Sequence, residues 1–513
     1  MITSKTLQPS FPTRIGLALF LTAAADFLLY DQYVGVSLLI LAVLLAIAIV
    51  VANPAPAKGW VQAIRFTLLI AGLAPLVEDV TGLSISIAII SLGLFALATA
   101  KRLRTGVAAI ARQMAMFLLV APIRFIRDFI RWRTVIRRVG KRAIRFASIA
   151  VWLMPLILAG VFITLFGVAN PVIEHWLSLI DFWTIFDLIG IWRSLFWLLF
   201  IAGSWAFLRP RLQIRRTRNT RKSLVNPLAS VPSMKMDGTN IEDIVFGKGA
   251  ILRALLLFNA LFAIQTALDA TYLWGGAALP DGVTYASYAH SGAYPLIATA
   301  LLAAGFVLVA MRPGSATSAD RSIRALVYLW TAQNVVLVIS SILRLDLYVS
   351  IYSLTYWRMA AFIWMLLVAA GLVLIMVRIA LGKSNEWLFA ANLLTLSATL
   401  YVCCFINFAA LIAEYNVKHS RAMNGGEFNV DINYLTLLGP DAIPAMDSMM
   451  VAMPPADVQT ARVLEEERQG LVRQQRRYFE NWRAWTFRGW RLSRYLEANP
   501  TSPSRPDFVP GEH

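Results

Sequence analysis

The chain has 513 residues, of which 58% are apolar and 15% charged, with a mean hydropathy of +0.64. A soluble globular chain carries about 25% charged residues, so this composition excludes water as the main solvent of the fold. The formal charge of +18 raises nucleic-acid binding, but its distribution argues against that reading. The basic residues crowd alternate connecting loops, and no folded basic domain with aromatic platforms is visible.

Taken in chain order, apolar stretches of crossing length recur at 14–30, 33–52, 60–77, 83–100, 146–168, 189–208, 250–274, 293–311, 323–342, 359–379 and 387–413. About twenty apolar residues cover roughly 30 Å of hydrocarbon. The reading is therefore an all-α, polytopic transmembrane helix bundle of about eleven helices with a C-terminal extramembrane helical tail. The first stretch also has the outline of a secretory signal, with Lys5 and Arg14 before a short apolar run and small residues at Ala23, Ala24 and Ala25. Topology downstream is the same whether or not it is cleaved.

Lys101, Arg102, Arg104 and the arginines from Arg124 to Arg145 fill one loop, and Arg209, Arg211, Arg215, Arg216, Arg218, Arg221 and Lys222 fill another. Loops around Asp31, Glu78, Asp79 and Asp281 carry almost no basic residues. By the positive-inside rule the basic loops stay cytoplasmic, which puts the N terminus in the cytoplasm of a bacterial inner membrane and the C terminus on the far side.

Within the first basic loop, 106–122 is apolar but carries Arg112 and Gln113 at its centre, so it is not read as a crossing. The stretch 121–146 sets Phe125, Ile126, Phe129, Ile130 and Trp132 among arginines. That pattern suits an amphipathic helix lying on anionic lipids, with 101–146 as the contact region. On the other side, 171–188 alternates aromatic and acidic residues and reads as a second interfacial helix.

The domain reading is 1–208 as a six-helix membrane half, 209–249 as a basic cytoplasmic linker, 250–413 as a five-helix half, and 414–513 as an extracytoplasmic tail. The tail has a helix start at Asp431, turns at Gly439, Pro440 and Asp441 and at Pro454 and Pro455, and one long helix over 457–496. Trp482 and Trp485 recur at helical spacing beside Arg473, Arg476, Arg477 and Arg483. Docking on lipid headgroups and packing on the bundle are both open to this helix, and packing is preferred.

Ionisable and amide groups inside spans are costly, so each is a candidate functional position. In the seventh span Gln265, Asp269 and Tyr272 fall on one face; in the ninth, Gln333, Ser340 and Arg344 do; in the eleventh, Asn392, Cys403, Asn407 and Glu414 do. The charged members, with Asp26, Asp187, Arg193, Asp346 and Arg358, form a candidate mixed-charge layer at the outer boundary, and Asp269 with Arg344 is the preferred pair. The loop after the seventh span adds Asp281, Tyr285, Tyr288 and His290. Polar stripes of this kind also serve simply to tie helices together, where lipid supplies no hydrophobic drive between them.

Cys403 and Cys404 are adjacent, too close to form an ordinary disulfide with each other. The histidines His175, His290, His419 and His513 are scattered singly, so no metal site is expected. No nucleotide, zincin, nucleophile-elbow or dinucleotide motif is present, and no cofactor is implied.

The segments LLFNALFAIQTALDATYLWGG, DGVTYASYAHSGAYPL, LVYLWTAQNVVLVISSILRLDLYVSIYSLTYWR and INFAALIAEYNV, with DINYLTLLGPDAIPA in the tail, resemble the bacterial membrane family called domain of unknown function 4173, related to 4153. The resemblance covers 252–417 and implies the fold and the membrane; it carries no activity. The leading functional reading is a non-enzymatic signalling, assembly or scaffold component whose tail meets an envelope protein partner. The alternatives are a transporter of a small solute or ion, with its site between the seventh, ninth and eleventh helices, and a membrane-embedded transferase using an outward carboxylate as base.

Overall fold

A computed structural model describes residues 11–54, 59–139, 190–210, 248–275, 320–421, 429–453 and 457–500, with a few isolated positions besides. Among the described residues every element is helical. Eight helices among these residues are long and apolar enough to cross a membrane, which makes this a membrane protein. The fifth and eighth expected spans, the interfacial segment 171–188, Asp187 and the loop bearing Asp281, Tyr285 and His290 lie outside the described residues.

The chain forms two compact units, 1–77 with 85–213 and 78–84 with 214–513. The first contains α1 (Phe11–Leu29), α2 (Val36–Ala52), α3 (Gly59–Leu73), α4 (Pro75–Glu78, up to its last residue), α5 (Gly82–Thr99, from Ile85), α6 (Val107–Val139) and α7 (Ile191–Leu208). Small residues bring these helices close. A Cβ on Gly72 of α3 would fall 1.9 Å from Ser91 Oγ on α5, so only glycine permits this approach. Trp205 of α7 is buried with its ring edge-on to Phe125 of α6 at 6.0 Å. Asp128 of α6 then accepts Arg209 at 3.0 Å, pinning the end of α7.

One expectation is corrected here: 106–122 and 121–146 are not separate elements, because α6 runs as one helix of 33 residues through Pro122. Pro122 gives up one main-chain donor and crowds the carbonyl four residues before it, a local cost that the rest of the ladder carries without ending the helix. The apolar part of α6, Val107–Val120, is shorter than a crossing helix needs.

The second unit contains α8 (Lys248–Asp269) followed by a π-helical turn (Ala270–Trp274), α9 (Arg321–Tyr352), α10 (Tyr356–Ala380), α11 (Asn385–Cys403) and α12 (Phe408–Lys418). Its tail contains α13 (Ile432–Leu437), a 3-10 turn (Pro440–Ala442), α14 (Ile443–Ala452), α15 (Val458–Phe479), a second 3-10 turn (Trp482–Ala484) and α16 (Phe487–Ala498). Side chains cap most starts: Asp320, Thr355, Ser384, Asn407, Asp431, Asp457 and Thr486 each accept a main-chain N–H of the first turn.

Those caps explain two further corrections. The expected eleventh span is broken, because Asn407 takes the Ala410 N–H at 3.1 Å and restarts the chain as α12. The expected long tail helix over 457–496 is likewise two helices. Asn481 and Thr486 cap the 3-10 turn and α16, and Gly489 lets α16 fold back against Phe479. The ninth helix, in contrast, outruns its expected end at 342 and continues to Tyr352.

The tail is not a loose appendage. Val349 of α9, Leu354, and Ala409, Ile412, Ala413 and Val417 of α12 share one apolar core with Leu435, Ile443, Met446, Leu464, Leu471 and Leu492 of the tail helices. Asn416 ties α12 to the α9–α10 connection at this core: its Nδ2 donates to Leu354 O at 2.9 Å and its Oδ1 accepts Leu354 N–H at 2.6 Å. Inside the tail, Arg468 Nε of α15 meets Asp447 of α14 at 2.5 Å, and Tyr495 of α16 donates to the same carboxylate at 2.8 Å. Burial, then the bond to Asp447, pushes the Tyr495 phenol up to about 12, so the hydroxyl keeps its proton and stays a donor.

Candidate functional site

Besides the Arg468 and Asp447 pair inside the tail, two polar clusters stand out among the described residues of the second unit. The first lies between α8 and α9. Asp269, 1% exposed, pairs with Arg344, 4% exposed, and Gln265 Nε2, one turn before Asp269, donates to the same carboxylate oxygen at 3.0 Å. Helical spacing places Gln265 and Asp269 on one face of α8, and the length of α9 brings Arg344 level with them. Ser340, one turn before Arg344, is buried, and its hydroxyl has no hydrogen-bond partner among the described residues.

The remaining stripe residues go elsewhere. The helix widens into the π turn directly after Asp269, so Tyr272 falls outside the regular spacing that would align it with Gln265. Gln333 lies eleven residues before Arg344, roughly 16 Å along the helix, and its Nε2 donates to Asn259 O at 3.3 Å. Glu414 is exposed and pairs with Lys418 at 2.5 Å. The side-chain carbonyl oxygen of Asn407 caps α12. Wheel counting across the α11–α12 break fails because the helix stops at Cys403 and a new one starts at Phe408, so the eleventh-helix stripe does not join the Asp269 cluster.

The expected charged layer is also divided. Asp26 of α1 takes Arg193 Nε at 2.8 Å and Trp197 Nε1 at 2.8 Å from α7, entirely within the first unit. Arg358 instead turns back on the α9–α10 connection, donating to Tyr352 O at 2.5 Å and to Ser353 O.

The second cluster was not anticipated. The break between α11 and α12 leaves main-chain carbonyls without the next helical turn to receive them. Arg488 of α16 reaches into it, donating to Ile406 O at 3.2 Å and Cys404 O at 3.4 Å. The same guanidinium meets Asp79 at 3.0 Å and Glu78 at 3.5 Å, and Arg491 pairs with Glu78 as well. Asp441 completes the group by a side-chain hydrogen bond with Asn407; burial holds its carboxyl above the usual range, against the opposing pull of that bond and of Arg488. Tyr434 accepts the Tyr356 N–H at 3.1 Å at the start of α10. Chemically the cluster is a clasp, with two cations set against three carboxyls and two open carbonyls. The signal for it in the sequence is a capping residue, Asn407, inside an apolar run; the acidic pair Glu78 and Asp79 looks by sequence like an ordinary loop.

No group of three or more potential metal ligands is present among the described residues. Over residues 65–449 the chain matches the family described as Domain of unknown function (DUF4153). The chain belongs to that family. The resemblance by sequence named 4173 first and 4153 as its relative; the match is to 4153, and it begins far upstream of residue 252. No curated protein and no solved structure matches the chain. The matched region of this DUF4153 chain includes Glu78, Asp79, Asp269, Arg344, Asn407 and Asp441, while Arg488 lies beyond it.

Proposed function

We propose that this DUF4153 chain is a non-enzymatic component of the bacterial inner membrane, with a cytoplasmic N terminus, whose extracytoplasmic tail is a platform for an envelope protein in signalling or assembly. The observation that carries this is the shared core of the tail with α9 and α12, which holds the tail at a set place on the helix ends. A tail built merely to be soluble would have no need to bury apolar side chains against the spans. The tail also presents Leu437 at 81%, Val451 at 62% and Val463 at 43% exposure, apolar groups suited to a partner. The basic loops support the orientation.

The test is photo-crosslinking in living cells from Leu437, Val451 or Val463. A discrete protein adduct, lost when Arg488→Ala releases the tail, is expected. Adduct-free cells at all three positions would overturn the platform.

A second reading, a transporter of a small solute or ion, is favoured by the buried pair Asp269 and Arg344 with Gln265, beside a Ser340 hydroxyl that has no hydrogen-bond partner among the described residues. Helix irregularity next to such a group, here the π turn, is frequent at functional sites. Flux in proteoliposomes that Asp269→Asn abolishes without unfolding the protein would replace the platform reading with this one.

A further inference from the structure

We infer that the tail carries a lipid-docking surface, formed by the last two turns of α15, the 3-10 turn and the first turns of α16, that takes the anionic phospholipid headgroups of the leaflet beside it. Height is the first reason. Arg488 of α16 bonds to carbonyls at the end of α11, and Tyr434 of α13 bonds to the first turn of α10, so the tail sits at the level where crossing helices end. That level is the membrane interface.

Side-chain chemistry is the second. Trp482, Trp490 and Phe487 are exposed by 51%, 42% and 39%, the latter two stacked at 5.6 Å. Aromatic rings of this kind settle at headgroup depth, where one edge is apolar and the other wet. Arg473, Arg476 and Arg477 are exposed beside them, and no ion pair of theirs is found among the described residues. These parts form one surface, because Gln475 donates to Gly489 O at 3.1 Å and Phe479 lies against Gly489, locking the α15 end onto α16. The opposite face of α16 is already used, with Leu492 and Leu496 in the tail core. A water-facing surface gains nothing from three large apolar groups, whereas a surface of rings and arginines complements a negatively charged interface.

The inference rests on the docking of the tail to the helix ends and is independent of the platform reading, whose contact residues Leu437, Val451 and Val463 are different ones. The full chain, with Cys403→Ser and Cys404→Ser, is placed in nanodiscs of neutral phosphatidylcholine or of phosphatidylcholine with phosphatidylglycerol. A spin label is attached at Trp490→Cys, or at Arg494→Cys one turn further on should the first variant fail to fold, with Val463→Cys as the reference. The α16 label should collide more with oxygen than with a water-soluble nickel chelate, and the Val463 label the reverse. Nickel accessibility at α16 should fall further in the anionic discs. The triple change Arg473→Glu, Arg476→Glu and Arg477→Glu should erase that lipid dependence, and the corresponding triple lysine variant should keep it. An α16 label as open to nickel as the Val463 label in both lipids would overturn the inference, as would a lipid dependence that survives the triple glutamate change.

Discussion

Arg488 and Ile406 stand 82 residues apart in the chain and are joined by a 3.2 Å hydrogen bond from the guanidinium to the carbonyl oxygen. A broken helix leaves carbonyls facing a poor solvent, and each unmet group there costs several kcal/mol. The tail supplies the missing donor together with a positive charge, which Glu78 and Asp79 then balance.

Removing that donor should therefore release the tail. Arg488→Ala leaves carboxylates and carbonyls unmatched and should lower stability by about 3 kcal/mol. Arg488→Lys keeps the charge but not the planar fork and should recover part of the loss. Proteolysis of α16 and thermal unfolding in detergent measure both; equal stability of Arg488→Ala and the native chain would show that the clasp contributes nothing.

Asp269 and Arg344 should prove mutually dependent. Asp269→Asn and Arg344→Gln each leave a buried charge without its counter-ion, whereas the double change removes both. The coupling in a double-mutant cycle should be about 1–3 kcal/mol, and simple additivity would dissolve the pair.

Tail docking should weaken as pH rises. Burial raises the Asp441 carboxyl, opposed by the Asn407 bond, with Arg488 and Arg491 also lowering it and Asp79 raising it. The folded state thus binds this proton more tightly than the unfolded chain, so the contribution is present below the ordinary carboxylate range and lost as pH climbs through the raised value. Asp441→Asn should flatten the profile of unfolding temperature against pH above the ordinary carboxylate range and raise stability at neutral pH. A profile that Asp441→Asn leaves unchanged would assign the pH dependence elsewhere.

Gly489 should tolerate no side chain. A Cβ there would lie 2.4 Å from the Phe479 ring, so Gly489→Ala must part α15 from α16 at a cost of about 1–3 kcal/mol. Gly470→Ala, with only the Arg473 tip at 4.0 Å, should instead stabilise α15 by roughly 0.5–1 kcal/mol. Comparison of the two unfolding temperatures decides it; a destabilised Gly470→Ala would point to a constraint on α15 not visible in its contacts.

Much of the helical layout is legible in the sequence, because a crossing helix satisfies its own main chain and needs only length and hydropathy to be recognised. The seventh, ninth and tenth spans, and the partners Asp269 and Arg344, could be picked out from apolar runs interrupted by charge at helical spacing. Spacing assumes an unbroken helix, however, and it failed wherever a local bond competed with the ladder. Asn407 capping α12, Asn481 and Thr486 capping the tail, and the π turn after Asp269 each reset the register, scattering Tyr272 and Glu414 from the positions the wheel assigned them. The Arg488 clasp lay further out of reach. Its members come from 78–79, 404–406, 441 and 488–491, and no periodicity within one segment records which distant carboxylate or carbonyl a guanidinium will meet. Local free energies along the chain determined where helices begin and run, whereas the pairing of their ends was decided only when the apolar core of the tail closed on α9 and α12 and brought those charges into reach.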